Sequence, residues 1–393
     1  MSISQRSEAQ LGLLQNRIKS RGSASRVAGR FEKTLSFFDV ETSEEQTDSL
    51  SVVPTEVFYE RAKSILTKNN SPDVPFNYSI NPYRGCEHGC SYCFARPSHS
   101  YLDLSPGLDF ESKLFVKENA PELLVKTLAK PGYLCEHFAL GANTDCYQPI
   151  ERQFQLTRRI LEICLAFKHP VSIITKGSLL LRDLDLLEAL NQDQLVSVAV
   201  SVTSLNPNLK AVMEPRAAAI QNRMQTIEAL IERNIPMTAL VAPIIPKIND
   251  HELEAILQSM AAMGVKHAGY VLLRLPHELG PLFLQWLNDH FPLRAQAVMS
   301  LMSACHEGEI YRSGFGVRQR GTGNYATLLA QRFNVACRRL GLNKTRAIPR
   351  EKSHFRVPDC LEDLLQPMDW QVQRMQAKPR ESKGGKTEQI ALF

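Results

Sequence analysis

Short apolar runs alternate with longer amphipathic stretches between residues 76 and 300. Apolar runs bounded by polar, glycine or proline positions are typical of buried strands, and the spacing between them is typical of helices that cover a sheet. The runs predict strands at residues 78–81, 137–141, 171–175, 196–202, 237–242 and 269–274. The amphipathic stretches predict helices at residues 121–129, 151–167, 183–191, 217–233, 250–263 and 281–290.

Strands that alternate with helices indicate an α/β protein with a parallel sheet. Six such units favour a partial (β/α)6 TIM-type barrel with N- and C-terminal extensions, and we predict this fold. A doubly wound sheet has the same periodicity, so that alternative stays open at the level of sequence. In both architectures ligands bind at the carboxyl ends of the strands, so the loops that follow the strands are the place to look for function.

The stretches outside this region divide the chain further. Residues 1–75 are polar and weakly periodic, and we predict a partly disordered N-terminal extension to which we assign no chemistry. Residues 76–300 form the predicted core barrel, and residues 301–370 form a basic C-terminal extension that includes a helix at 325–340. Residues 371–393 have few large apolar side chains and predict a flexible tail.

The composition is that of an ordinary globular protein. Of the 393 residues, 44% are apolar and 22% are charged, close to the globular average. No apolar run reaches the length of a membrane span, and the N-terminus lacks the apolar stretch of a signal peptide. We therefore expect a cytoplasmic protein without membrane contact. Its nine cysteines should stay reduced there, so clustered cysteines indicate metal ligands or reactive thiols.

The segment after the first predicted strand, NPYRGCEHGCSYCFARP, contains three cysteines within eight residues. Cys86, Cys90 and Cys93 have C-x3-C-x2-C spacing, and nearby glycines let the backbone curl so that the thiols converge. Thiolates suit zinc or an iron–sulfur cluster. A structural zinc site needs a fourth ligand, for which His88 and His99 are candidates. Three cysteines alone leave one coordination position for a ligand.

The three cysteines, with Tyr92 directly before the third, resemble the motif of the radical S-adenosylmethionine (SAM) enzymes. The segments GANTDCYQPIE, ITKGSLLLRD, SVTSL, MEPRA and VAPIIPKINDHE extend the similarity to a bacterial branch grouped with the spore photoproduct lyase-like proteins. The resemblance implies that Cys86, Cys90 and Cys93 hold a [4Fe–4S] cluster whose fourth iron binds SAM. It also implies an external electron donor, whose electron cleaves SAM to methionine and a 5′-deoxyadenosyl radical.

Residues at the later strand ends match family positions that contact SAM. We predict the SAM contacts Tyr92, Asn143, Lys176, Ser201 and Arg216, the last of which could contact the substrate instead. Among them, Asn143 would bind the amino group, Lys176 the carboxylate and Ser201 the ribose. Ordinary alternatives exist: a glycine–Asx turn for Asn143, a solvated side chain for Lys176, and helix-start electrostatics for the predicted charged pair of Glu214 with Arg216.

The candidate catalytic residue is Cys146. In spore photoproduct lyase a hydrogen-donating cysteine precedes a Thr/Ser–Asp element at the second strand end, and Ala142 matches that place here. Cys146 lies four residues further on and could act as a substitute donor. The alternative is a small buried apolar residue, which is the more common role of a free cysteine. We therefore do not extend the lyase reaction to this chain.

A basic segment follows the predicted barrel. Residues 310–356 contain eleven lysines and arginines and one glutamate, so this segment carries +10 in a chain whose net charge is +5. Interleaved aromatic residues and glycines offer stacking surfaces and backbone amides that suit phosphate groups. We predict contact with DNA or RNA through this segment. A solvated helix face with core aromatics would have the same composition.

The chain ends in a short peptide with a possible partner of its own. Its residues are Gln389, Ile390, Ala391, Leu392 and Phe393, and they resemble the sliding-clamp binding peptide of bacteria. In that peptide the glutamine and the two terminal apolar side chains enter pockets. We predict a sliding clamp as a partner, although motifs of this length also arise by chance.

These features predict a radical SAM enzyme that reductively cleaves SAM and starts radical chemistry on an unidentified substrate. The first hypothesis is DNA, in a repair-type reaction. A second hypothesis keeps the cluster but makes RNA or a protein the substrate. A third, from another class of protein, is a zinc-containing nucleic-acid-binding protein without catalysis.

Overall fold

The computed structural model describes residues 21–23, 25, 27–31, 53–345 and 352–376. The strands of this part are β1 Glu56–Glu60, β2 Thr67–Lys68, β3 Tyr78–Ile80, β4 Tyr83–Arg84, β5 Lys113–Lys117, β6 Phe138–Leu140, β7 Val171–Thr175, β8 Val196–Ser201, β9 Met237–Ile244 and β10 His267–Leu272. The helices are α1 Asp109–Ser112, α2 Ala120–Leu128, α3 Glu151–Phe154, α4 Leu156–Ala166, α5 Leu184–Gln192, α6 Pro207–Met213, α7 Ile220–Glu232, α8 Leu253–Ala262, α9 Leu279–His290, α10 Pro292–Ala304, α11 Gly323–Leu340, α12 Glu362–Leu365 and α13 Asp369–Gln376. Short 3₁₀ helices lie at Arg96–Leu102, Leu179–Asp183 and Asp250–Glu252.

Seven strands form the main sheet, in the order β10-β9-β8-β7-β6-β3-β2. The strands from β3 to β10 in this sheet run parallel, whereas β2 pairs with β3 in the antiparallel sense. Each strand after β6 lies beside its predecessor in the chain, so the sheet winds in one direction. A doubly wound sheet would reverse at a switch point. The predicted partial barrel is therefore confirmed, whereas the doubly wound sheet is not observed.

All six predicted strands are present, and the apolar runs that predicted them are explained by their burial. Strands of a parallel sheet are covered on both faces, so they consist of almost continuous apolar runs. In β7, for example, Val171–Thr175 is buried at every position except one. The last strand begins two residues earlier than predicted, at His267.

The helix predicted at residues 151–167 is in fact two helices, α3 and α4. Gln155 between them has a left-handed backbone, with a φ angle of 51°. The buried carboxylate of Glu151 accepts hydrogen bonds from the amides of Thr157 at 3.1 Å and Arg158 at 3.4 Å, in the first turn of α4. This cap starts a new helix, while the apolar spacing continues across the break.

A second sheet has three strands in the order β1-β5-β4. β1 pairs with β5 in the parallel sense, and β5 pairs with β4 in the antiparallel sense. Strand β4 lies directly before the cysteines in the chain. The stretch that we predicted as an extension, residues 1–75, thus contributes β1 and β2 to the fold. No position of β1 is buried, so its sequence lacks the apolar pattern of a core strand.

Loops connect the two edges of the main sheet, β10 and β2. The amide of Leu272 at the end of β10 donates to the carbonyl oxygen of Gln319 at 2.9 Å. In the same loop, Arg318 Nε lies 2.6 Å from Oδ2 of Asp73, a residue between β2 and β3. The amide of Gly316 donates to the other oxygen of Asp73 at 2.6 Å. We call residues 313–322 the edge loop, because they link the open edges of the barrel.

Helix α11 runs along β10 from the carboxyl edge of the sheet to its amino edge. The edge loop before α11 bonds to the end of β10, whereas Asn343 after α11 bonds to Ala268 at the start of β10, at 2.9 and 3.0 Å. The 18 residues of α11 span about 27 Å. The positive charges in the described part of residues 310–356 are therefore divided between opposite edges of the sheet.

Most buried side chains belong to one core between the main sheet and its helices. A smaller core surrounds Trp286, where α9 and α10 pack together. Among the described residues, no helix combines the length and the apolar character that a membrane crossing requires.

Candidate active site

The carboxyl ends of three parallel strands lie around the cysteine loop, which we define as residues 85–95. After β6, Asp145 Oδ2 lies 3.3 Å from His88 Nδ1 of the loop. After β7, the side chain of Lys176 reaches the ring of Tyr92. After β8, the hydroxyl of Thr203 lies 3.4 Å from the Tyr92 hydroxyl. The parallel topology thus gathers strand-end residues around the cysteines, as the sequence predicts.

The three thiols lie in a protected environment. Cys86 and Cys90 are buried and Cys93 is partly buried. Burial raises the pKa of all three thiols, and burial together with the charge of Glu214 raises the pKa of Cys90 to about 12. Such thiols become thiolate ligands when a bound cation replaces their protons, so the donor set fits an iron–sulfur cluster. Among the described residues no three or more His, Cys, Asp or Glu side chains are preassembled as a metal site, so the thiols would converge by side-chain rotation.

Lys176 brings positive charge to these thiols. Its Nζ lies 5.9 Å from the centroid of the Tyr92 ring. Its charge acts against burial, lowering the pKa of Cys90 and of Cys93. The backbone amide of Lys176 donates to Asp145 Oδ2 at 2.7 Å, which fixes the chain at the end of β7. The predicted site lysine is therefore beside the cysteine loop.

Asp145 connects the ends of two strands to the cysteine loop and was not among the predicted site residues. Its carboxylate also accepts hydrogen bonds from the Thr175 hydroxyl at 2.7 Å and from the Tyr147 amide at 2.9 Å. Burial acts to raise the pKa of Asp145, but the charge and hydrogen bond of His88, with the hydrogen bonds from the Lys176 amide and the Thr175 hydroxyl, lower it overall. Asp145 therefore stays charged and joins the cysteine loop to β6 and β7. Its sequence signal, one aspartate after a strand, is too common to identify it.

Glu214 organises the opposite side of the cysteine loop. Its fully buried carboxylate accepts hydrogen bonds from the Tyr92 hydroxyl, from the Thr203 hydroxyl at 2.6 Å and from the Arg223 guanidinium. Burial acts to raise its pKa, but the charges of Arg223 and Lys176 lower the pKa of Glu214 to about 2. The negative charge of Glu214 thus holds Tyr92 in place between Thr203 and Lys176.

The predicted charged pair of Glu214 with Arg216 is wrong. Arg223 of α7 forms the buried ion pair with Glu214 instead. The turn after α6 directs Arg216 toward the cysteine loop, where its NH2 lies 3.0 Å from Glu87 Oε1 and its amide donates to the His88 carbonyl oxygen at 3.2 Å. Arg216 therefore supports the loop, and its contact with SAM stays a prediction.

The structure places the other predicted residues in different surroundings. Asn143 is exposed at the end of β6, and its amide donates to Asn81 Oδ1 at 2.9 Å. Ser201 is buried at the end of β8, where its carbonyl oxygen accepts from Arg223 at 3.1 Å. Cys146 is fully buried in the main core. This position is that of a small buried apolar residue, so the hydrogen-donor role of Cys146 stays a prediction.

The sequence relationships agree with this geometry. The sequence model of the radical SAM superfamily matches residues 80–260. An uncharacterised protein of Mycobacterium tuberculosis is 38% identical over 255 residues, which cover 64% of this chain and 72% of that protein. The chain belongs to the radical SAM superfamily. An uncharacterised protein of Methanocaldococcus jannaschii is 31% identical to this radical SAM protein over 197 residues, which cover 50% of this chain and 71% of that one.

The radical SAM protein also shares its fold with solved structures. A double mutant of spore photoproduct lyase with bound AdoMet and dinucleoside spore photoproduct matches with a TM-score of 0.55 at 14% identity, over 77% of this chain and 87% of that one. At this identity the match shows a common fold. Radical SAM enzymes use a [4Fe–4S] cluster and SAM, so the predicted fold, family and cofactors are confirmed.

We expect Arg223→Met to destabilise the radical SAM protein, because Glu214 would stay charged and buried without its partner. Removing one member of a buried ion pair costs about 3–5 kcal/mol of unfolding free energy. Arg233→Met is the control, since Arg233 pairs with Glu188 at the surface, where such a loss costs at most about 1 kcal/mol. Urea unfolding of the cluster-free proteins measures both losses. Equal and small losses would contradict the structural role of the buried pair.

Proposed function

We propose that this radical SAM enzyme acts on DNA in a repair-type reaction and that Cys86, Cys90 and Cys93 bind its cluster. When bound, the cluster and SAM supply a 5′-deoxyadenosyl radical that abstracts a hydrogen atom from the substrate. One observation carries the assignment of the site: two buried thiols, one partly buried thiol and the side chain of Lys176 share the cysteine loop region at the carboxyl edge of a parallel sheet.

Lys176 is the residue that we assign to the SAM carboxylate. Its ammonium group forms no ion pair among the described residues, although it lies near the buried carboxylate of Glu214 and the thiols. An ammonium group in such a protected place favours binding of an anionic group. Because Asp145 fixes the backbone of Lys176, the position of the charge is set before a ligand arrives.

Tyr92 forms the wall beside this charge. Glu214 and Thr203 hold its hydroxyl, so its ring stays below the ammonium group of Lys176. Asn143 follows β6 and Ser201 ends β8 at the same edge of the sheet, and we assign them to the amino group and the ribose of SAM. This arrangement supports a SAM site that extends from the cysteine loop across the ends of β6 to β8.

We expect Cys90→Ala to lose most of its iron after anaerobic reconstitution and to form no 5′-deoxyadenosine with dithionite and SAM. The reason is that two thiolates cannot replace a three-thiolate cluster site. Cys360→Ala is the control, because Cys360 is exposed and outside the site. Iron analysis and chromatography of the nucleoside product measure both variants. A wild-type yield of 5′-deoxyadenosine no higher than that of Cys90→Ala would contradict the proposal.

Residues at the mouth of the barrel support a nucleic-acid substrate. Phe94 follows the third cysteine directly and is 40% exposed. The guanidinium of Arg274, just beyond β10, lies 4.7 Å from the centroid of the Phe94 ring. Its Nε is buried without a hydrogen-bond partner, and Arg274 forms no ion pair within the described residues. An exposed ring beside an unpaired guanidinium suits the stacking of a base and the binding of a phosphate group.

The choice of DNA over RNA as the first candidate rests on the shared fold. One structure of spore photoproduct lyase with this fold is complexed with a dinucleoside spore photoproduct. The proposal extends only the class of substrate to this chain, since Ala142 and the buried Cys146 do not reproduce the lyase donor.

The basic segment, residues 310–356, supplies neither Phe94 nor Arg274 of this site. Arg318 of the edge loop pairs with Asp73, and Arg332 pairs with Glu254, so these arginines stabilise the fold. Arg338 is exposed in the last turn of α11, at the amino edge of the sheet. Arg346 and Arg350 lie outside the described residues. We therefore propose the mouth of the barrel, with Phe94 and Arg274, as the first nucleic-acid contact in place of the basic segment.

We expect Arg274→Gln to weaken DNA binding and to reduce the dependence of log K on log salt by about 0.7 to 0.9 for one lost phosphate contact. Arg338→Gln is the matched control, because it removes the same charge from the last turn of α11, at the amino edge of the sheet and away from the mouth. Fluorescence anisotropy with single-stranded and duplex oligonucleotides at several salt concentrations measures both variants. An equal or larger effect of Arg338→Gln would contradict the assignment to the mouth.

The other hypotheses from the sequence are tested with the same samples. Binding of an RNA oligonucleotide of equal length, without binding of DNA, would favour an RNA substrate, and no binding of either would favour a protein. Near-stoichiometric zinc without iron would favour the non-catalytic zinc protein. The sliding-clamp peptide, residues 389–393, lies outside the described residues and stays a proposal.

A further inference from the structure

A segment from the N-terminal part of the chain covers the cysteine loop. We call the described residues of this segment, 21–23, 25 and 27–31, the strap. Gly22 packs directly against Gly89, which lies between the first two cysteines. A Cβ atom on residue 22 would lie 1.5 Å from the carbonyl oxygen of Gly89. The backbones of the strap and of the cysteine loop are thus so close that residue 22 has no space for a side chain.

A buried carboxylate fastens the strap to the loop. Glu111 is fully buried, and its two oxygens accept hydrogen bonds from the amides of Gly22 at 2.9 Å and Ser23 at 2.8 Å. Arg96 donates to the same carboxylate at 3.0 Å and to the carbonyl oxygen of Cys90 at 2.9 Å. One buried ion pair therefore links the strap to the backbone of a predicted cluster ligand.

The other end of the strap is fastened to helix α9. Arg30 Nε lies 2.8 Å from Oε1 of Glu278, the residue before α9. Ser25 donates through its hydroxyl to Gln285 at 3.0 Å, and its carbonyl oxygen accepts from the Leu108 amide at 3.0 Å. The strap thus joins the loop that follows the first parallel strands to the helix that follows the last one.

The path of the strap is important because the barrel is not closed. The main sheet ends at β10 on one side and at β2 on the other, so solvent has a lateral route between the first and the last units. The edge loop bridges this opening through Arg318 and Asp73. The strap bridges it a second time, directly beside the cysteines.

We propose that the strap guards the cluster by closing the solvent route to the outer side of the cysteine loop. The proposal rests on the proposed function, in which the cysteines of this loop bind the cluster. Solvent exposure affects the properties of iron–sulfur clusters, and a segment that is held at both ends keeps this exposure low. The strap then determines how fast the bound cluster loses its iron, in addition to supporting the loop.

Gly22→Ala tests this role in the full-length chain, because the added methyl group forces the strap away from Gly89. Gly314→Ala is the control, since a Cβ there would meet no atom within 4 Å. The readout is the rate of iron release from the reconstituted protein to a ferrous chelator under anaerobic conditions. We expect release about tenfold faster in Gly22→Ala, equivalent to an opening that is about 1.4 kcal/mol easier. The control should release iron at the wild-type rate.

Arg30→Gln loosens the other end of the strap without touching the cysteine loop, so it tests the proposal even if Gly22→Ala fails to fold. It should also accelerate iron release. Hydrogen exchange of the cluster-free proteins shows whether the amides of residues 85–93 lose protection. Faster exchange with unchanged iron release would overturn the guard role, and unchanged exchange in both variants would overturn the strap contacts. A wild type that binds no iron would contradict the proposed function itself, and it would do so equally in every variant.

Discussion

The burial of charge around the cysteine loop is the constraint on which the rest of the structure depends. The loop has little regular secondary structure, yet its three cysteines must face one point. Three carboxylates next to it are almost or fully buried, and each has a partner: Asp145–His88, Glu214–Arg223 and Glu111–Arg96. A buried charge that loses its partner costs several kcal/mol, so these contacts allow the loop few alternative positions. The three ion pairs hold the cysteine loop on the side of β6, on the side of β8 and on the side that faces the strap.

The same charges shape the environment of the thiols. Glu214 makes deprotonation of Cys90 unfavourable, whereas Lys176 makes it easier. An iron cation that reaches the loop therefore meets neutral thiols in a protected place. As it binds, the thiols lose their protons, and the positive charge of the cation compensates the negative charge of the thiolates. The resemblance implied a role for Lys176, and the structure places its ammonium group over the Tyr92 ring, where its charge acts on the thiols of Cys90 and Cys93.

How far the sequence leads depends on the range of the interactions. The strands were predictable because double-sided burial leaves a local apolar run, as in Val171–Thr175. The cysteine spacing was predictable because the ligands of one loop are close in sequence. The pairing of Glu214 with Arg223 was not predictable from the sequence. The turn after α6 directs the nearby Arg216 away from Glu214 and brings Glu214 next to Arg223 of another helix, α7. The strap was missed for a similar reason: its contacts use backbone amides and polar side chains, which have no apolar periodicity.

The central claim is that the cysteine loop holds a cluster with one iron open to SAM. EPR spectroscopy of the anaerobically reconstituted and dithionite-reduced chain, with and without SAM, tests it most directly. The account predicts the signal of a reduced [4Fe–4S] cluster whose g values change when SAM is added, because three thiolates leave one iron free to bind it. A cluster signal that SAM does not change, or a chain that holds zinc and no iron, would contradict it.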